Sequence, residues 1–212
     1  MNVVIVDYGM GNLRSVEKAL EKVGVSAVVS SHRDDVLNAA ALVVPGVGAF
    51  GDAMEELSRL DLVAPLRQRA AAGVPILGIC LGLQIFFEES EEAPGVRGLG
   101  LVQGRVRRFS SEAGLKIPHM GWNALNIRAG SRLFQGVPEG AYVYFVHSYF
   151  VAPTDEQVVA ATTDYGVRFA AAIETRNILG VQFHPEKSQR TGLNILANFG
   201  RIIGQAAAGA GR

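Results

Sequence analysis

Three short segments, far apart in the chain, carry residue types that could perform acyl-transfer chemistry together. The first is Gly78-Ile79-Cys80-Leu81-Gly82, which holds the only cysteine of the 212 residues. A thiol at a sharp strand-to-helix turn is forced out of the sheet and can serve as a nucleophile. Glycines two residues to either side remove the Cβ atoms that would crowd such a turn. A helix beginning behind the thiol favours its anionic, attacking form. The same residues would also suit a small apolar side chain that ends a buried strand, so Cys80 alone leaves both roles open.

The second segment, Val181-Gln182-Phe183-His184-Pro185-Glu186-Lys187-Ser188, ends a strand-like run in a histidine, a rigid proline and a carboxylate. A catalytic thiol needs a base within hydrogen-bond reach and a third group to orient that base, adjacent in the fold rather than in sequence. His184 and Glu186 fit those two roles. Three other histidines compete for the first. His32 lies in a polar loop, whereas His119 and His147 read as site-lining or core residues with no carboxylate near them in sequence.

The third segment, Pro45-Gly46-Val47-Gly48-Ala49-Phe50-Gly51, follows a strand-like run. Its glycines let backbone N–H groups point outward, where they can stabilise a tetrahedral oxyanion. The N–H groups of Val47 and Leu81 are the candidate donors. No Gly-Lys-Ser/Thr follows, which excludes a phosphate loop. Gly9-Met10-Gly11 has Arg14 where a dinucleotide fingerprint needs its third glycine. No cofactor and no metal site is expected.

These segments must be held by a scaffold that brings strand ends together. The first half alternates apolar runs with helix-like stretches: Val3 to Val6, then Leu13 to Lys22; Val25 to Val29, then Asp34 to Ala39; Leu42 to Val44, then Asp52 to Leu60. Helix-like Val63 to Ala72 leads to a strand at Pro75 to Ile79 and a helix from Leu81 to Glu89. Such alternation predicts βαβ units on a parallel sheet. Glu88 to Gly100 reads as a surface loop. Strands are then expected at Leu101 to Phe109, Trp122 to Ile127, Ala141 to Phe150, Gln157 to Thr163, Val167 to Ile173 and Ile178 to Phe183, with antiparallel additions among them. An amphipathic helix from Leu193 to Ile203 would cover one sheet face. One domain over residues 1–204 and a frayed tail over 205–212 are expected.

Twenty basic and 20 acidic side chains cancel, so no global field draws the chain to nucleic acid or an anionic membrane. The apolar runs are strand-length, far short of a bilayer span. No basic leader precedes the first strand, and a cytoplasmic location is expected.

The cysteine elbow combined with His184-Pro185-Glu186 resembles the class I glutamine amidotransferases. Asp7-Tyr8-Gly9-Met10-Gly11-Asn12-Leu13 and Pro118-His119-Met120-Gly121-Trp122-Asn123 are similar to the branch of that family serving histidine synthesis. The resemblance implies a three-layer α/β/α fold and a Cys80-His184-Glu186 triad that releases ammonia from glutamine through a thioester. It implies substrate contacts at Gly48, Gln84, Ser148 and Tyr149, although relatives often carry threonine where Ser148 stands. Asn12, Trp122 and Lys187 match positions that face a synthase subunit. The implied partner is a cyclase with a (β/α)8 barrel that consumes the ammonia. A glutaminase feeding a different synthase would keep every one of these catalytic roles. A module using Cys80 for redox sensing or binding, without glutamine turnover, is the alternative of another class.

Overall fold

The structure is a computed structural model that describes residues 2–110 and 115–210. The chain runs β1 (Val3–Val6), α1 (Leu13–Lys22), β2 (Ala27–Ser30), α2 (Arg33–Asn38), β3 (Ala41–Gly46), α3 (Phe50–Arg59), α4 (Val63–Ala71), β4 (Ile76–Cys80) and α5 (Leu81–Gln84). It continues through β5 (Glu89–Ser90), β6 (Gly104–Arg108), β7 (His119–Ala124), β8 (Asn126–Ile127), β9 (Tyr142–His147), β10 (Tyr149–Pro153), β11 (Val159–Asp164), β12 (Arg168–Glu174), β13 (Ile178–Val181) and α6 (Gln189–Ala210).

The main sheet has the order β2-β1-β3-β4-β13-β12-β10-β6-β5, with β11 pairing β12 and β8. From β2 to β13 every pairing is parallel. The strands β12, β10 and β6 then join antiparallel, as the change of pattern in the second half predicts. Strands buried on both faces read as continuous apolar runs, and β1 illustrates why. Val3 and Ile5 enter one core with Val16, Leu20, Ile195 and Phe199 of α1 and α6. Val4 and Val6 enter the other with Val36, Phe50, Leu57 and Leu66 of α2, α3 and α4. Helices on both faces make three layers, the α/β/α arrangement expected. Among the described residues no helix is long and apolar enough to cross a membrane.

Four elements depart from the pattern read in the sequence. The helix expected from Leu81 to Glu89 stops at Gln84 after one turn. Ile85, Phe86 and Phe87 are consecutive and all fully buried, which no single stripe of a helix permits, so the chain turns instead to bury all three. The expected loop Glu88 to Gly100 then contributes β5, whose Glu89 and Ser90 pair with Arg105 and Val106 of β6. At the other end, α6 runs to Ala210, well past Ile203. Residues 204–208 are exposed, so burial periodicity ends where the backbone helix does not; residues 211 and 212 of the expected tail lie outside the described residues. The expected strand from Ala141 to Phe150 is divided at Ser148, and β9 pairs with β7 in a separate two-stranded sheet.

Candidate active site

In an open parallel sheet, ligand sites form at the carboxyl ends of the strands. Here β4 lies between β3 and β13, with Gly46 opposite Cys80 and Val181 opposite Ile79. The three sequence segments with chemical potential therefore emerge side by side.

Cys80 has φ +56° and ψ −111°, a conformation that costs a non-glycine residue roughly 1–3 kcal/mol. Its neighbours explain how the turn closes. A Cβ on Gly82 would stand 1.7 Å from the Val44 carbonyl oxygen, and one on Gly78 would stand 2.6 Å from the Phe86 ring. Both glycines let the turn pack directly onto β3 and the buried aromatics. Because α5 is one turn long, its dipole contributes less at Cys80 than the longer expected helix would. Support for a negative charge on sulfur has to come from elsewhere.

The obvious source is His184. Beyond β13 the His184 N–H donates to the Tyr144 carbonyl at 2.9 Å, and Pro185 opens a 3-10 turn over Pro185–Lys187 that swings Glu186 back. His184 Nδ1 meets Glu186 Oε1 at 2.8 Å, with both side chains buried. Burial works against charging this imidazole. Hydrogen bonding to Cys80 and to Glu186, with their negative charge, more than offsets it and raises the pKa to about 9. The Nε2 atom is buried with no hydrogen-bond partner of good geometry beyond a loose approach of the Cys80 thiol, and such contacts commonly tighten only with substrate. Cys80 Sγ itself receives a long contact from Gln182 Nε2 at 3.8 Å.

A cavity of about 300 Å³ joins these groups. Cys80 and His184 line it together with Val47, Gly48, Leu81, Gln84, Ser148 and Tyr149, so every residue expected to bind substrate or the oxyanion borders one space. Gly48 adopts φ +101°. Leu81 opens α5, where a helix leaves its first N–H groups without partners inside the helix. Gln84 is buried rather than solvated, and its Nε2 donates to the Tyr149 carbonyl at 2.9 Å and to Gln182 Oε1 at 3.1 Å. A larger depression of about 620 Å³ over β10, β11 and β12 has arginines at its rim. Its lining includes Glu156 and Thr162 but no cysteine or histidine, whereas the smaller cavity brings a thiol and an imidazole together.

One residue lining the cavity, Glu92, and one that touches Cys80 from outside that lining, Gln182, escaped the sequence reading. Glu92 accepts the Phe50 N–H at 2.8 Å, which ties the start of α3 to the pocket rim. Gln182 is fully buried and bridges Gln84 to Cys80. Neither has a local signal, since the contacts are made across 42 and 102 residues. His147 also lines the cavity, but its Nδ1 bonds to the Tyr149 carbonyl at 2.9 Å and its Nε2 to His119 Nδ1 at 3.0 Å. Burial lowers its pKa to about 3. With both nitrogens engaged it has no free site for a proton, and His32 is an exposed residue ahead of α2.

The expected partner-facing residues lie outside the cavity. Asn12 is exposed and caps α1, its Oδ1 accepting the Ser15 N–H at 3.3 Å. Trp122 stands on the outer face of β7 beside exposed Met120 and Tyr142. Lys187 is exposed in the turn next to Glu186, and α1 packs against that turn.

The family model "Glutamine amidotransferase class-I" matches residues 4–203. "Imidazole glycerol phosphate synthase subunit HisH" of Moorella thermoacetica is 50% identical over 204 residues, covering 96% of each chain. The protein of the same name from Aquifex aeolicus is 54% identical over 202 residues, covering 95% of this chain and 97% of its own. Among solved structures, one described as a glutamine amidotransferase superposes with TM-score 0.75 at 20% identity, covering 95% of this chain and 98% of that one. The acivicin-bound glutaminase domain of Trypanosoma brucei CTPS gives 0.66 at 18% identity, covering 95% and 94%. Relatives at this identity, aligned almost end to end, and a family match over residues 4–203 make this chain a member of the class I glutamine amidotransferases.

Proposed function

We propose that this chain is the glutaminase subunit of an imidazole glycerol phosphate synthase, acting in the cytoplasm in histidine biosynthesis. The observation that carries the chemistry is the convergence of Cys80, His184 and the Gly46-Val47-Gly48 loop on one cavity, with Glu186 behind the imidazole. The choice of pathway rests on the names of relatives at 50% identity and above.

The Cys80 thiolate attacks the carboxamide carbon of glutamine. Negative charge moves to the carbonyl oxygen, where the Val47 and Leu81 N–H groups receive it. Collapse of this intermediate breaks the C–N bond as the His184 imidazolium hands its proton to the departing nitrogen, releasing ammonia and leaving a thioester. Neutral His184 then takes a proton from water as the hydroxide oxygen bonds to the acyl carbon. Collapse of this second tetrahedral intermediate breaks the C–S bond and expels the Cys80 thiolate beside the imidazolium, and the product carboxyl gives its proton to solvent to leave as glutamate. Glu186 orients the ring and stabilises its charge. Gln84 and the Ser148-Tyr149 pair hold the amino-acid end of the substrate, and Glu92 supplies a carboxylate for its ammonium group.

Bulk water would convert most released ammonia to non-nucleophilic ammonium, so the product needs a sheltered acceptor. That acceptor is the cyclase subunit with its (β/α)8 barrel, docked over Asn12, Trp122 and Lys187; the lyase step that makes imidazole glycerol phosphate belongs to the complex. Glycines at 46 and 48 allow the Val47 N–H to face toward or away from the site, so docking can raise turnover to the extent that the partner binds the competent loop better. Glutamate release is measured for the chain alone, with apo cyclase, and with cyclase plus acceptor analogue. Absence of release in all three would overturn the function, and equal kcat in all three would overturn the switching.

A further inference from the structure

The parallel ladder between β1 and β3 ends at Ile5 opposite Val43. Leu42 N–H donates to the Pro75 carbonyl on the β4 side, and alternate residues of a strand address opposite neighbours. Val43 and Pro45 therefore face β1. Proline has no N–H to offer, and its carbonyl, one peptide before the oxyanion loop, lies beyond the reach of the β1 backbone. The Tyr8 hydroxyl fills that place. Tyr8 is fully buried and donates to the Pro45 oxygen at 2.7 Å. The same oxygen atom of Tyr8 would stand 2.3 Å from a Cβ on Gly46, so phenol and loop base are in direct contact.

We infer that Tyr8 is a positioning residue for the oxyanion loop: by holding the Pro45 carbonyl it fixes the base of the loop, so that reorientation is confined to Gly46, Val47 and Gly48. The inference rests on the glutaminase function proposed above. Burial, and next the charge of nearby Cys80, raise the Tyr8 pKa well above its ordinary value, which keeps the phenol a donor throughout the working range.

The test uses Tyr8→Phe in the complex with the cyclase. Glutamine-dependent kcat is expected to fall about tenfold or more, with KM for glutamine within about twofold. Ammonia-driven synthesis and the rate of Cys80 alkylation by iodoacetamide should match wild type, because neither needs the loop. An unchanged kcat overturns the inference, and so does a parallel loss of alkylation, which would place the effect on the triad. If the variant does not fold, a polyfluorinated tyrosine at position 8 serves instead. Its phenol ionises more readily and then cannot donate, so the alkaline decline of kcat should move to lower pH than in wild type, where it follows His184; superimposable pH profiles would overturn the inference. Wild-type complex without glutamine turnover would instead refute the glutaminase function itself.

Discussion

His119 Nδ1 lies 3.0 Å from His147 Nε2, and the two rings form one directed chain of hydrogen bonds across the small sheet. Asn123 Nδ2 reaches His119 Nε2 at 3.3 Å, and His147 Nδ1 reaches the Tyr149 carbonyl at 2.9 Å. The amide of Asn123 and the carbonyl of Tyr149 fix the direction, so His119 donates to His147 and both rings are neutral. The order of donors leaves no site for an added proton. Burial lowers the two pKa values to about 4 and about 3 respectively.

The linked consequence is a stability profile with two flanks. Both histidines ionise below their unfolded value of about 6.5, so the unfolded chain binds more protons and their contribution, complete above that pH, is lost as pH falls toward 4 and 3. His184 behaves oppositely. Its folded pKa is raised to about 9, so its contribution is complete below about 6.5 and disappears as pH rises through 9. Urea midpoints should be highest near neutrality, and His184→Gln should flatten only the alkaline flank. A variant that also flattened the acid flank would contradict the assignment of charge.

Replacing Cys80 with alanine should abolish glutamine-dependent synthesis and leave ammonia-dependent synthesis intact. Members of a triad act as a unit, so His184→Ala should cost at least about a thousandfold, with Glu186→Ala milder. His147→Ala should cost less than either, and mainly in KM through Tyr149 and Gln84. Steady-state assays of the complex decide. Retained turnover in His184→Ala together with its loss in His147→Ala would transfer the base role.

Gly82→Ala should prevent stable folding or destabilise by about 3 kcal/mol or more, since overpacking against a rigid backbone has no side chain to move. The Val44 carbonyl at 1.7 Å is such an obstacle. Gly24→Ala meets no atom within 4 Å but carries φ +80°, so it should cost only about 1 kcal/mol, the penalty of a left-handed backbone. Chemical denaturation of the two variants gives the comparison, and equal midpoints would contradict the steric argument.

Trp122→Ala should weaken the complex with the cyclase about thirtyfold, as expected for a central aromatic anchor. Trp122 is 46% exposed and its ring lies 6.0 Å from that of Tyr144, so the isolated chain should lose less than about 0.5 kcal/mol. Calorimetric titration and a melt of the free subunit separate these effects. Undiminished affinity would move the interface elsewhere.

The parallel half of the fold was legible because each strand is apolar on both faces and each helix keeps one stripe, as Leu13–Lys22 does with Val16, Ala19 and Leu20. Cys80 and His184 were legible from glycine spacing and from the adjoining proline and carboxylate. Gln182 and Glu92 were not, because their partners come from elements distant in sequence. The neutrality of His147 was equally hidden: it depends on His119 being paired opposite it by β7 and β9. The end of α5 was misread because an apolar run of Ile85, Phe86 and Phe87 looks the same whether a helix continues or a turn buries all three.

The insertion of β13 beside β4 also sets a schedule. Cys80 and Gln182 are 102 residues apart in the chain, and loop closure on that scale precedes any reward from the contacts it makes. During synthesis the cysteine, its glycines and the oxyanion loop leave the ribosome first, with the β4 edge still lacking its neighbour. The base arrives only when the last strand of the sheet has threaded between β4 and β12. A nascent chain thus cannot hydrolyse glutamine before its central sheet is finished, and competence for chemistry becomes a late signal that β13 has taken its place beside β4.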